Sequence, residues 1–125
     1  MSVVILSQGE STLEEAIASV TGQDRTAEIV VSHSGPALGA RAERFPEVRL
    51  ISSPEALMPG GARNAGVRGS SGEFVAFLAA DCTALPGWVG ARIDRHLAGA
   101  RAVASAMAAP DSAPAALASH LIQHS

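Results

Sequence analysis

Residues 60–82 read GGARNAGVRGSSGEFVAFLAADC, and this stretch limits the possible folds of the chain more than any other. Its first half places small residues at Gly60, Gly61, Ala62, Ala65, Gly66 and Gly69. At helical spacing these leave one face nearly bare, so the helix can lie very close to a neighbouring backbone. The second half, residues 73–80, carries no charge after Glu73 and no breaker. It predicts a parallel strand covered on both faces that delivers Asp81 to its carboxyl end. In open α/β sheets that end is where ligands sit.

The remainder of the chain alternates in the same way. Residues 3–6, Val-Val-Ile-Leu, predict a first strand that turns at Ser7-Gln8-Gly9. Ser11 and Glu14 form a capping-box pattern, and Leu13, Ala16, Ile17 and Val20 recur at helical spacing up to Gly22. Residues 28–31 predict a second strand ending in Ser32-His33-Ser34-Gly35, after which Pro36 opens a short helix that Phe45 and Pro46 close. A third strand is expected over 48–51 and a loop over 52–59. Beyond Asp81, Pro86 starts a helix with Val89, Ile93 and Leu97 on its buried face and Gly99 as its stop. A strand over 102–107 and a helix over 115–124 follow. With right-handed crossovers, this alternation predicts a three-layer α/β/α fold around a mostly parallel, doubly wound sheet. Its ligand edge carries Ser7, Gln8, Ser32, His33, the Ser52-Ser53 loop, Ala80 and Asp81.

Gly61-Ala62-Arg63-Asn64-Ala65-Gly66, then Gly72-Glu73-Phe74 leading through Phe77-Leu78-Ala79-Ala80-Asp81-Cys82, then Pro86 and Trp88, form an ordered set at fixed spacing. The set resembles the central block of the family 2 glycosyltransferases of the GT-A fold, G-x-ARN-x-G, then GE-[YF]-xx-FLDxDD, then P-x-W. Such a set is far more specific than a lone glycine-rich loop. The resemblance extends more weakly from Val3 to about Met107. It implies a Rossmann-like nucleotide-diphospho-sugar transferase domain over residues 1–125, incomplete because the family's acceptor pocket and general base lie in a second half, beyond Ser125.

The same resemblance implies a donor site made of Ser7, Gln8, His33, Arg63, Asn64, Ala80 and Asp81. Asp81 matches the last acid of the family's DxD element, which holds Mg2+ or Mn2+ across the two donor phosphates. Here Ala79 replaces one neighbouring acid and Cys82 another, leaving a lone carboxylate. His33 occupies the place of an acid that accepts a hydrogen bond from the nucleobase, and one neutral ring nitrogen can accept likewise. Leu6-Ser7-Gln8 replaces a Pro-Thr-Tyr turn and lacks its aromatic ring. Arg63 falls in the first turn of the central helix, where a cation costs roughly 0.3–1 kcal/mol against the helix dipole unless an anion joins it. A diphosphate is such an anion, and the free amides of Gly60 and Gly61 assist it. Asn64 caps a neighbouring loop or orients Arg63; Glu73 reads as structural, and Phe77 and Trp88 as core. His96, His120 and His124 read as surface positions without metal-ligand spacing.

Composition narrows the alternatives. The chain has 125 residues, a net charge of -3 and nine scattered arginines with no lysine, so nucleic acid is not an expected partner. A single cysteine forms no internal disulfide, and residues 3–6 are too short for a leader or a span. The expected location is the cytosol, with contact at the inner membrane face open because the resembled family serves lipid-linked acceptors as well as saccharides and small molecules. A homo-oligomer is a further expectation, through an exposed sheet edge. The rival function is a degenerate nucleotide-binding or interaction module that keeps the fold without catalysis, suggested by Ala79, Cys82 and His33. A dinucleotide-binding domain ranks last, because Ser7-Gln8-Gly9-Glu10-Ser11 lacks G-x-G-x-x-G.

Overall fold

The structure is a computed structural model that describes residues 1–23, 25, 27–55 and 57–103. Strands β1 (Ser2–Ser7), β2 (Glu28–Ser34), β3 (Arg49–Ser53) and β4 (Val75–Ala79) form one parallel sheet in the order β3-β2-β1-β4. They alternate with helices α1 (Leu13–Thr21), α2 (Pro59–Arg68) and α3 (Trp88–Leu97), and a 3-10 segment over Gly39–Arg44 links β2 to β3. Met1–Ile93 makes one compact unit and Asp94–Ser125 a second. In the second, the amides of Ala98, Gly99 and Ala100 return to the carbonyls of Asp94, His96 and Arg95 to close the helix.

Successive strand residues point to opposite faces, and α1 and α2 take one face each. Val3, Ile5, Ile29, Val31, Ala76 and Leu78 face α1 and share one apolar cluster with Leu13, Ala16, Ile17 and Val20. Burying each of the larger aliphatic side chains contributes on the order of 1.5–3 kcal/mol. On the other face, α2 lies against β1 and β2. A Cβ on Gly66 would sit 2.3 Å from Val4 Cγ1, and the Ser32 hydroxyl donates to the Ala62 carbonyl over 2.8 Å. The expected bare helix face is therefore real at Ala62, Gly66 and Gly69, at i, i+4 and i+7. At Gly60 and Gly61 it is not, since an added Cβ meets nothing within 4 Å at the first and only Leu57 Cβ, at 3.7 Å, at the second.

Other expectations are corrected. Among the described residues β4 is covered on one face: its burial alternates, and Phe77 is 41% exposed rather than core. As the last strand in the order, it turns Ala76 and Leu78 to α1 and Phe77 and Ala79 away. The Ser11 capping box does not form; Thr12 stands before α1 and its hydroxyl donates to the Ala80 carbonyl instead. The helix expected from Pro36 is a 3-10 segment that starts at Gly39. Gly87 has φ +84°, a left-handed conformation, so α3 starts after it, at Trp88 rather than Pro86. Leu97 is 69% exposed. Residues 102 and 103 are not in a strand, and the rest of the strand expected over 102–107, the 115–124 helix, His120 and His124 lie outside the described residues.

The amino end of the sheet is stapled by one carboxylate. Glu28 accepts from the Ser71 amide, the Ser71 hydroxyl and the Ser2 hydroxyl at 2.7–2.9 Å. These bonds, the Ser71 amide foremost, hold the Glu28 carboxyl below its ordinary 4.5. The Arg41 guanidinium does the same for Glu14. A carboxyl lowered on folding adds stability that is complete above the unfolded value and is lost as pH falls through the folded one. Both groups are near solvent, so the effect is modest. Between about pH 6 and about pH 3.5 the urea midpoint of the native chain is expected to fall, and that of Glu28→Gln to fall less steeply.

Candidate functional site

All four strands run the same way, so Ser7, Ser34, Ser53 and Ala79 end on one edge. The chain leaves β1 for β2 and β3 on one side, then returns through α2 to β4 on the other side of β1. The order therefore reverses between β1 and β4. In open α/β sheets the crevice outside the carboxyl ends at that reversal is where ligands bind. Its walls here are the β1–α1 loop, residues 8–12, and the segment after β4 that begins with Ala80 and Asp81. Two hydrogen bonds set the walls side by side: the Ala80 amide donates to Leu6, and the Thr12 hydroxyl donates to Ala80.

The expected site residues separate into two groups at this edge. Ser7, His33 and Ala80 are at most 3% exposed and bonded within the protein. His33 Nε2 lies 2.6 Å from the Pro36 carbonyl, which only accepts, so Nε2 carries the hydrogen. In the neutral ring Nδ1 then accepts from the Ser7 hydroxyl, 3.0 Å away, and Ser7 Oγ accepts in turn from the Gly9 amide. No ring nitrogen of His33 is left for a nucleobase, so the expected base contact is corrected to a lock between the loops after β1 and β2. Ala80 likewise has both backbone groups engaged.

Gln8, Arg63, Asn64 and Asp81 form the second group, and all are exposed. Arg63 is the fifth residue of α2, one turn past the start rather than in the first turn as expected, with its guanidinium carbon 5.9 Å from the Phe77 ring centroid on β4. A cation over a ring at an exposed site gains about 0.5–1 kcal/mol, while the helix-dipole cost falls off beyond the first turn. The ring thus holds Arg63 in place without an anion, while its N–H donors have no protein acceptor among the described residues. Nor does Asn64 have a hydrogen-bond partner there. Asp81 stands two residues beyond β4, and the Cys82 thiol donates to its Oδ1 over 3.6 Å. Burial foremost, then the Asp81 charge, pushes the Cys82 thiol up, so it remains a protonated donor at neutral pH.

As a metal position this edge is sparse. Among the described residues no three of His, Cys, Asp and Glu gather around one point. Asp81 supplies one hard oxygen ligand, which suits Mg2+ or Mn2+ only where substrate phosphates and water complete the shell.

No local pattern points to Arg41, which sits in the 3-10 segment. Its Nε and one Nη reach the Glu14 carboxylate at 2.6 and 3.1 Å. The two Nη atoms also donate to the carbonyls of Gly9 and Glu10 at 2.9 and 2.6 Å. Its partners lie 27 to 32 residues away, beyond any local pattern.

A parallel sheet ordered β3-β2-β1-β4, flanked by helices on opposite faces and with an exposed cation and carboxylate near its reversal, defines the open, doubly wound class of α/β domain. Within that class the chain belongs to glycosyl transferase family 2, which it matches over residues 2–119. Among solved structures it is similar to glucosyl-3-phosphoglycerate synthase from Mycobacterium tuberculosis in complex with Mn2+, uridine diphosphate and phosphoglyceric acid. The TM-score is 0.60 at 21% identity, over 82% of this chain and 40% of the synthase chain. At that identity the likeness shows a shared GT-A-like fold, and the chain spans less than half of the synthase. No curated protein matches. Among the described residues no helix is long and apolar enough to cross a membrane.

Proposed function

We propose that the chain binds the nucleotide-diphospho-sugar donor of a family 2 glycosyltransferase at the β1/β4 crevice, for transfer of the sugar to an acceptor hydroxyl. One observation carries the reading: the exposed Arg63 guanidinium and the exposed Asp81 carboxylate are both attached to the carboxyl half of β4, one through the Phe77 ring and one through the chain. A guanidinium presents a planar fork of donors to phosphate oxygens. The amides of Gly60 and Gly61, in a first turn with no side-chain cap at Met58, add donors of the same sign. Asp81, with the donor phosphates and water, would hold a Mg2+ or Mn2+ ion, which would supply charge neutralisation to the leaving diphosphate. Gln8 and Asn64 supply carboxamides at the same edge, while Ser7, His33 and Ala80 form the frame that holds it.

A saccharide, a lipid-linked sugar or a small molecule are the acceptor classes in keeping with the family. A second reading, a binding module without catalysis, is favoured by Ala79 and Cys82 beside the lone Asp81. Calorimetric titration of the chain with UDP- and GDP-sugars, with and without Mn2+, separates the two. Binding by the native chain whose Mn2+ dependence Asp81→Ala removes supports the donor site; metal-independent binding by the native chain, or none, supports the second reading.

A further inference from the structure

We propose that Arg41 is a positioning residue for the nucleoside portion of the donor, acting through the β1–α1 loop that forms one wall of the crevice. The inference rests on the donor-site reading given above. Residues 8–12 span that wall, and Gly9 at φ +88° gives it a joint that other residues rarely adopt. Arg41 holds the chain just beyond the joint. Its guanidinium takes the two carbonyls that follow it, Gly9 and Glu10, and anchors them to the Glu14 carboxylate on α1. Two loop amides are held as well, Gln8 by the Glu10 carboxylate at 2.6 Å and Gly9 by Ser7 Oγ at 3.1 Å. The backbone around the joint is thus fixed by the protein itself. The Gln8 side chain is exposed and without a partner among the described residues.

A carboxamide offers one acceptor and two donors, which suits the edge of a base or a ribose rather than an anion. Of the groups suited to the diphosphate, Asp81 belongs to the opposite wall, and Arg63 reaches β4 from α2 through the Phe77 ring. A nucleoside diphosphate laid across the crevice therefore meets the Arg41-held wall with its nucleoside and the β4 wall with its phosphates. A wall ordered before binding does not charge the ligand for its ordering, so releasing the joint weakens the nucleoside contact selectively.

The experiment compares UDP, GDP and inorganic pyrophosphate, each titrated with Mn2+ into the full chain, its Arg41→Ala and Arg41→Lys variants, and Glu14→Gln. Amide hydrogen exchange is followed over residues 8–12. Arg41→Ala is expected to weaken the tighter of the two nucleotides by about tenfold, leave pyrophosphate within about twofold, and speed exchange at residues 8–12 but not in β1. Arg41→Lys is expected to recover only part of the nucleotide affinity, because an ammonium cannot reproduce the fork. If Arg41→Ala does not fold, Glu14→Gln decides, with nucleotide binding weakened about threefold and pyrophosphate unchanged. Nucleotide affinity unchanged in a folded Arg41→Ala, or nucleotide and pyrophosphate weakened by one factor, overturns the positioning role and leaves the donor site standing. Failure of the native chain to bind any of the three overturns the donor site itself, and the role of Arg41 with it.

Discussion

Gly66→Ala is expected to lower the stability of the chain by about 1–2 kcal/mol, although replacing glycine by alanine in an open helical position raises stability by up to about 1 kcal/mol. The sign is decided by what the new methyl meets. An added Cβ would stand 2.3 Å from Val4 Cγ1 and 3.3 Å from Val4 Cγ2. Val4 is fully buried on β1, between β2 and β4 in the sheet, and its β-branched side chain has little rotamer freedom. Either α2 lifts from the sheet or Val4 leaves its rotamer, and overpacking of this kind costs about 1–3 kcal/mol before the helical gain is subtracted. Gly60→Ala is the control, because nothing lies within 4 Å of its Cβ position and no loss is expected. Thermal melts of the two variants check this, with a fall of several degrees expected for Gly66→Ala alone. A melt unchanged by Gly66→Ala contradicts the close approach of α2 to β1.

The second large effect concerns ligand affinity. Arg63→Gln is expected to weaken a nucleoside diphosphate by about tenfold, the scale of one charge-assisted phosphate contact. Folding should be nearly untouched, because among the described residues the exposed Arg63 guanidinium meets only the Phe77 ring, a contact of about 0.5–1 kcal/mol. Asp81→Ala is expected to abolish the Mn2+ dependence of binding while leaving a weaker, metal-independent affinity through Arg63. Calorimetry with each variant measures both. Equal loss in the presence and absence of Mn2+ for Asp81→Ala excludes it as a metal ligand.

How far the sequence could be read depended on how local each cause is. Strand-helix alternation, the parallel sheet and the arrival of Asp81 at its carboxyl edge follow from short-range periodicity, and all three are present. The bare face of α2 was legible where the glycines meet β1 and β3, at Gly66 and Gly69, and over-read at Gly60 and Gly61, which precede the contact. β4 misled because an uncharged run reads as buried on both sides, whereas Phe77 and Ala79 face away from the α1 core at the end of the described strand order. His33 misled for a different reason. A histidine at a strand end presents the same letter whether its nitrogens face a ligand or, as here, Ser7 and Pro36. Arg41, Thr12 and Glu28 each act through partners 26 to 68 residues away, which only the fold brings together.

The most direct test is a crystal structure of the chain soaked with UDP and Mn2+. Density for the diphosphate between the Arg63 guanidinium and an ion held on the Asp81 carboxylate, with the nucleoside along residues 8–12, is the predicted result. A diphosphate bound anywhere that leaves both side chains in solvent contradicts the assignment of the crevice, and leaves family and fold without this site.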